Sequence, residues 1–181
     1  ISKSTVNRYL AVVRSILLRA RDEWEWIDKA PKVKLFREPP GRERSITVEQ
    51  AEALLRELPA HQRDVVLFTL ATGLRQSNVL KLEWSRVDLE SGHAWVDADQ
   101  SKNRRPIAVP LNLKALEVLR RQVGKHPARV FTYAGRPLDR ANTHAWQRAL
   151  KRASIENFRW HDLRHTWATW HRQSGTPTHE L

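Results

Sequence analysis

His161, His165 and His171 share one short stretch with Asp162 and Arg164, FRWHDLRHTWATWHRQSGTP, residues 158–177. Two chemistries compete for it. His161 and His165 stand at i, i+4 on a predicted helix, the spacing with which helical histidines share a zinc ion, and His171 follows. A helix that continues through TWATW counts against the metal. It carries His171 ~80° off the His161 face and ~15 Å along the axis, so three ligands cannot meet one tetrahedral ion. Arg164 would also set a positive charge beside the cation. His161 and Arg164, at i, i+3, share a face. Arg offers a planar fork of donors matched to two phosphate oxygens, and His exchanges a proton near neutral pH. Taken alone, HDLRH also fits a packing histidine and a solvated arginine.

Two further stretches bear on that choice. In LATGLRQSNVLKLEW, Arg75 follows a helix-ending glycine by two residues and stands where the next helix begins. Backbone on both sides orients such an arginine. In DQSKNRRPIAVPL, Lys102 sits at a predicted hairpin tip, where an ammonium can donate a proton to a leaving alkoxide. Each stretch has a plain structural alternative: Arg75 bonding exposed helix carbonyls, or SKNRR as a turn that grips phosphates.

The charge is consistent with an anionic partner. The 181 residues carry a formal +12. Residues 1–46 hold +5, residues 47–101 hold −4, and residues 102–172 hold +12. Basic charge this concentrated is a footprint for a polyanion, nucleic acid first. Arg75 lies in the acidic segment, so general basicity does not explain it. The absence of Cys excludes disulfides, thiolate metal sites and thiol nucleophiles. No apolar run reaches the ~18 residues of a bilayer span, and the N-terminus does not read as a signal peptide. The chain starts at Ile1 and has no Met, so a fragment is expected.

The elements that must hold these residues are mostly helices. STVNRYLAVVRSILLRARDEWEWI places Val6, Tyr9 or Leu10, Val13, Leu17, Ala20 and Trp24 at helical intervals, with Ser4 or Thr5 as N-cap and Pro31 beyond its end. FREPPGRERS reads as a linker. Thr47 and Gln50 form a capping box at the start of ITVEQAEALLREL. HQRDVVLFTLATG is a buried helix stopped by Gly73, and a short helix follows at RQSNVLKLEW. The period then changes to alternation, predicting two or three short antiparallel strands from RVDLE to IAVPL. A helix at NLKALEVLRRQVG, a strand or turn at RVFTYAG, a loop at GRPLDR, and two last helices complete the chain. The fold class expected is α+β, mainly α, with one small antiparallel sheet on a flank.

Taken together, these stretches resemble the tyrosine recombinase (phage integrase) family over nearly the whole chain. ATGLRQSN with the following LEW and VDLE resembles the family's first arginine box. SKNRRPIAVPL resembles its lysine-bearing β-hairpin, HDLRHTWATW its His-x-x-Arg box, and the first helix the last helix of its core-binding domain. The resemblance implies three parts: residues 1–36, the C-terminal remnant of a SAM-like core-binding domain; residues 37–45, a linker; and residues 46–181, a catalytic domain truncated before its nucleophile. It implies site-specific DNA recombination by phosphodiester transesterification, in which a tyrosine forms a 3′-phosphotyrosyl link and frees a 5′-hydroxyl. Arg75 and Arg164 would clamp the non-bridging oxygens. Lys102 would protonate the leaving oxygen, and His161 would assist proton transfer or hold the phosphate. No cofactor and no metal are implied. The partner is double-stranded DNA, with a homo-tetramer on it, in a bacterial or phage-encoded cytoplasmic setting near the nucleoid.

The chain departs from the family pattern at two places. Asn78 stands where the family often has an acid that orients the first arginine. The two tyrosines, Tyr9 and Tyr133, both precede the second box, so this chain by itself is expected not to cleave DNA. A DNA-binding module that kept the fold without its chemistry is the alternative, and a type IB topoisomerase shares the site logic. Arg104, Arg105, Arg148, Lys151, Arg152 and Arg159 are candidates for backbone phosphate contacts. Trp95, Trp146, Trp160, Trp167 and Trp170 read as core side chains rather than base-stacking ones.

Overall fold

In a computed structural model of the chain, all residues except 39–43, 101–103, 142 and 178–181 are described. Lys102 therefore lies outside the described residues. The chain divides into two units, residues 1–42 and 43–181.

The first unit is helix α1 (Lys3–Asp22) with a returning segment. Its N-cap is Ser2, whose Oγ accepts the Thr5 N–H at 3.2 Å, rather than Ser4 or Thr5. The helix starts early enough that Ser4 is already in its first turn and can donate to Glu38 Oε2 at 2.5 Å. Asn7 clamps the returning segment in the manner of a strand partner. Its Oδ1 accepts the Phe36 N–H and its Nδ2 donates to the Phe36 carbonyl, both at 2.8 Å. Ala20 is buried as the periodicity predicts, whereas Tyr9, Val13 and Trp24 stay exposed. The returning residues 30–33 run past Leu17 and Leu18 and leave the Val12–Val13 side of the helix bare.

In the second unit, α2 (Val48–Glu57) opens with the expected capping box: Thr47 Oγ1 accepts the Gln50 N–H and Gln50 Oε1 accepts the Thr47 N–H. Helix α3 (Ala60–Thr72) is the hub. It packs against α2, against the short α4 (Gln76–Leu80), and against α5 (Leu113–Gln122) and α7 (Asp162–Gln173). Val65, Val66 and Phe68 are fully buried, which explains why α3 shows no polar face in the sequence. Strands β1 (Val87–Asp88), β2 (His93–Val96) and β3 (Ile107–Pro110) make one antiparallel sheet in that order, with Val87 opposite Ala94 and Trp95 opposite Ala108. Alternation settles its faces: Ala94, Val96 and Val109 enter the core, and His93 and Trp95 face outward.

A second small sheet was not expected. Strands β4 (Thr132–Tyr133) and β5 (Arg136–Pro137) pair through a two-residue turn, Ala134 and Gly135, both at positive φ. Alanine at the first left-handed position masks this turn in the sequence, where Asn or Asp would announce it. Helix α6 (His144–Arg152) follows, its end Ala149 and Leu150 buried beside Trp146. Trp146 and Trp160 are core, with ring centroids 4.8 Å apart. The fold is α+β and mainly helical. Among the described residues, no helix is long and apolar enough to cross a membrane.

Candidate phosphate-binding site

Two helix junctions build the site. Helix α3 ends at Gly73, whose φ of 64° turns the chain left-handed while its N–H closes onto Thr69 O at 2.8 Å. Leu74 is buried next to it, and Arg75 then takes the N-cap of α4, half-buried. The turn thus anchors Arg75 by its neighbours on both sides. Helix α7 begins behind His161. Buried Asp162 reaches back with Oδ2 to accept the Arg159 N–H at 2.7 Å, fixing the entry of the chain. Further along, Thr166 Oγ1 accepts the Ile46 N–H at 3.2 Å and Trp170 Nε1 donates to Ile46 O at 3.0 Å. These bonds hold α7 against the start of α2.

Arg164 closes the site. Its Nη1 donates to the Gly73 carbonyl at 2.5 Å, joining elements 91 residues apart. Its guanidinium pKa is lowered, first by burial and then by the charge of Arg75. The His161 pKa is lowered as well. Partial desolvation is the largest cause, although the residue as a whole stays exposed, then His165, Arg164 and Arg75, with Asp162 acting the other way. Arg75 therefore acts on both Arg164 and His161, and Arg164 on His161. Three of the four residues singled out for chemistry lie near enough to act on one another's charge, and the electrostatics there disfavour added positive charge. An anion placed there would relieve that repulsion and receive fixed donors.

The other residues lie beside this spot or away from it. His165 is half-buried with its ring edge-on to His161, centroids 5.1 Å apart. His171 packs on Trp167 at 4.7 Å. Among the described residues, no three His, Asp or Glu side chains gather as metal ligands would. Asn78 points into the core, 2% exposed. Its Oδ1 lies 3.4 Å from the Ser77 hydroxyl and its Nδ2 has no partner, so it does not orient Arg75 by a hydrogen bond.

Arg104 and Arg105 are exposed just past the undescribed residues, Arg104 at φ 51°. Arg148 and Lys151 line one open face of α6 with His144 and Gln147. Arg159 is exposed. Arg152 differs from these: its Nε bonds Glu57 Oε2 and its Nη2 donates to the Glu57 carbonyl at 2.8 Å. It spans α6 and the end of α2. Sequence reasoning missed the Gly73 carbonyl, because no side chain announces a main-chain acceptor. It also missed the contact of Trp167 with Gly73, described below.

Residues 44–181 match the model of the phage integrase family. The integrase of Salmonella phage P22 is 40% identical over 188 residues, covering 96% of this chain and 48% of its own. A shufflon-specific DNA recombinase of Escherichia coli is 31% identical, covering 91% and 43%. The chain thus spans about half the length of the curated relatives it matches. Among solved structures, the Tn1549 transposon integrase in complex with a circular intermediate DNA superposes with TM-score 0.80 at 16% identity, over 98% of this chain and 69% of that one. A lambda integrase dimer bound to a COC′ core site gives 0.70 at 18%, over 95% and 68%.

Proposed function

Because the chain belongs to the phage integrase family, we propose that it supplies the phosphate clamp of a tyrosine-type site-specific DNA recombinase. The observation that supports this reading is the Arg164–Gly73 bond, which ties the second arginine to the turn before Arg75, with His161 near enough to feel the charge of both. Phosphoryl transfer concentrates negative charge on the non-bridging oxygens, and preorganised donors aimed at them are worth ~2.7–4 kcal/mol each. Arg75 and Arg164 hold those oxygens. His161, its pKa held below the ordinary value, accepts or returns the proton of the attacking hydroxyl. Lys102 protonates the leaving 5′ oxygen.

In this reading residues 1–36 belong to a core-binding domain, residues 37–45 link it, and residues 46–181 form the catalytic domain. The partner is duplex DNA, on which the complete protein assembles as a tetramer. Arg104, Arg105, Arg148, Lys151 and Arg159 contact its backbone, and Arg152 joins them only by leaving Glu57. Tyr133 lies tilted against His61 with ring centroids 4.1 Å apart and Tyr9 is in α1; both precede the His-x-x-Arg box, so neither matches the family's nucleophile position. The 181-residue chain binds DNA without forming a covalent adduct.

The test neutralises one phosphate of a duplex at a time with methylphosphonate. Clamping predicts a single position whose neutralisation weakens the wild type but not Arg75→Ala or Arg164→Ala. Loss spread evenly over many positions would favour a binding module without chemistry. A DNA adduct on Tyr9 or Tyr133 would overturn the assignment of the nucleophile to another tyrosine.

A further inference from the structure

Gly73 does more than end a helix. A Cβ built on it would lie 2.4 Å from Cδ2 and Cε3 of Trp167 and 2.9 Å from Cε2. The indole therefore rests on the Gly73 Cα itself, a contact that only glycine permits. The same residue offers its carbonyl to Arg164. Trp167 stands three residues after Arg164 on α7, so one helix supplies both the guanidinium and the ring that press on one peptide unit. His171, one turn further, packs its ring on the other end of this contact, against Trp167. Trp167 is half-buried and also lines a groove of about 330 Å³ with Val48, Leu67, Leu70 and Trp170.

We propose that Trp167 is a positioning residue: its indole wedges against Gly73, holds that residue's carbonyl in line with Arg164, and so sets the distance between Arg164 and Arg75. It touches no substrate in this scheme and acts through Arg164. The physical need is plain. Two guanidinium groups brought together repel, and a single hydrogen bond to a backbone oxygen leaves the longer arginine side chain several rotamers. A rigid ring with two torsions, packed on the peptide that accepts the bond, removes that freedom before any anion arrives. The histidine stretch thereby gains a second use: His161 and Arg164 face the anion, while His171 backs the wedge. The proposal rests on the phosphate-clamp reading for its meaning, but its geometry can be tested without DNA.

The experiment compares the 181-residue chain with Trp167→Phe, Trp167→Leu and Trp167→Ala, each first checked for native circular dichroism. Two signals are read by NMR. One is the Arg164 Nη proton resonance, sharpened and shifted by its bond to Gly73. The other is the His161 titration, on which Arg164, Arg75, His165 and Asp162 all act. In folded Trp167→Leu or Trp167→Ala the Arg164 signal should collapse into the exchange-averaged arginine envelope. The His161 midpoint should move up toward 6.5, and Trp167→Phe should restore both. Affinity for a short duplex should fall about tenfold in the aliphatic variants, as one misplaced charged donor predicts. A folded aliphatic variant with both NMR signals unchanged overturns the wedge. If the wild type binds no phosphodiester while the NMR changes occur, the wedge stands and the clamp reading fails.

Discussion

Two arginines of the same domain are treated in opposite ways. Arg121, on α5, is matched to a carboxylate: its Nε and Nη2 donate to Asp64 Oδ1 at 3.2 and 2.7 Å, and Gln122 Nε2 fills Oδ2 at 2.5 Å. Lys125 then bonds Gln122 Oε1 at 3.1 Å. Asp64 is 8% exposed on α3, so this network ties α5 to the hub helix and satisfies a buried charge. Arg164, also packed on α3 through its helix, receives a neutral carbonyl and the like charge of Arg75. A structural arginine has its charge answered within the fold. Arg164, on the proposed reading, is held by geometry and has its charge left for a ligand.

The largest effect should come from the second kind. Arg164→Ala removes one preorganised donor, so strand transfer by the complete protein should fall roughly 10²–10³-fold, measured on a nicked substrate under single turnover. Thermal stability of the 181-residue chain should stay level or rise, since the like-charge pair is gone. Asp64→Ala should do the reverse. It strips Arg121 and Gln122 of their acceptor and costs about 1–3 kcal/mol in chemical denaturation, the lower part of that range applying because half of Arg121 is in water. Duplex binding at a concentration where both proteins remain folded should not change. An Arg164→Ala protein that loses as much stability as Asp64→Ala would erase the contrast between the two sites.

The contrast also marks what the sequence shows and what it hides. Helix α2 declares itself in Thr47 and Gln50, and α3 in its apolar run before Gly73, because local bonds and burial decide those elements. The hairpin at Ala134–Gly135 hides, since its φ values come from tertiary context rather than from favoured residue types. The first helix begins ahead of its expected caps and ends at Asp22, short of Trp24, and its apolar stripe is only partly buried, for burial depends on what lies alongside. In the site, Arg75, His161 and Arg164 were legible as residue types at known spacings. Gly73 as an acceptor and Trp167 as its cover were not, because a contact between a missing Cβ and a ring some ninety residues away leaves no periodic trace.

The smallest effect, and the most discriminating, is in pH. His161 has a folded-state pKa below its ordinary 6.5, through partial desolvation first and then its positive neighbours His165, Arg164 and Arg75. Below 6.5 the unfolded chain therefore binds more protons at this position than the folded one, so the stability it contributes is complete above 6.5 and is lost as pH falls. His61, lowered by burial against Tyr133, tilts the same way. A phosphate in the proposed clamp would act on His161 in the opposite sense. Its negative charge raises that pKa, binding then takes up a proton, and affinity should strengthen as pH drops below 6.5 even while the free protein loses stability. Melting temperature and duplex affinity, each followed across pH 5.5–7.5 at fixed salt, should thus slope in opposite directions. His161→Gln should flatten the affinity slope and leave the part of the stability slope that belongs to His61. If His161→Gln kept the full affinity slope, protons would be entering elsewhere on the basic surface, and Arg164 would no longer be distinguished from Arg121 by having an anion to wait for.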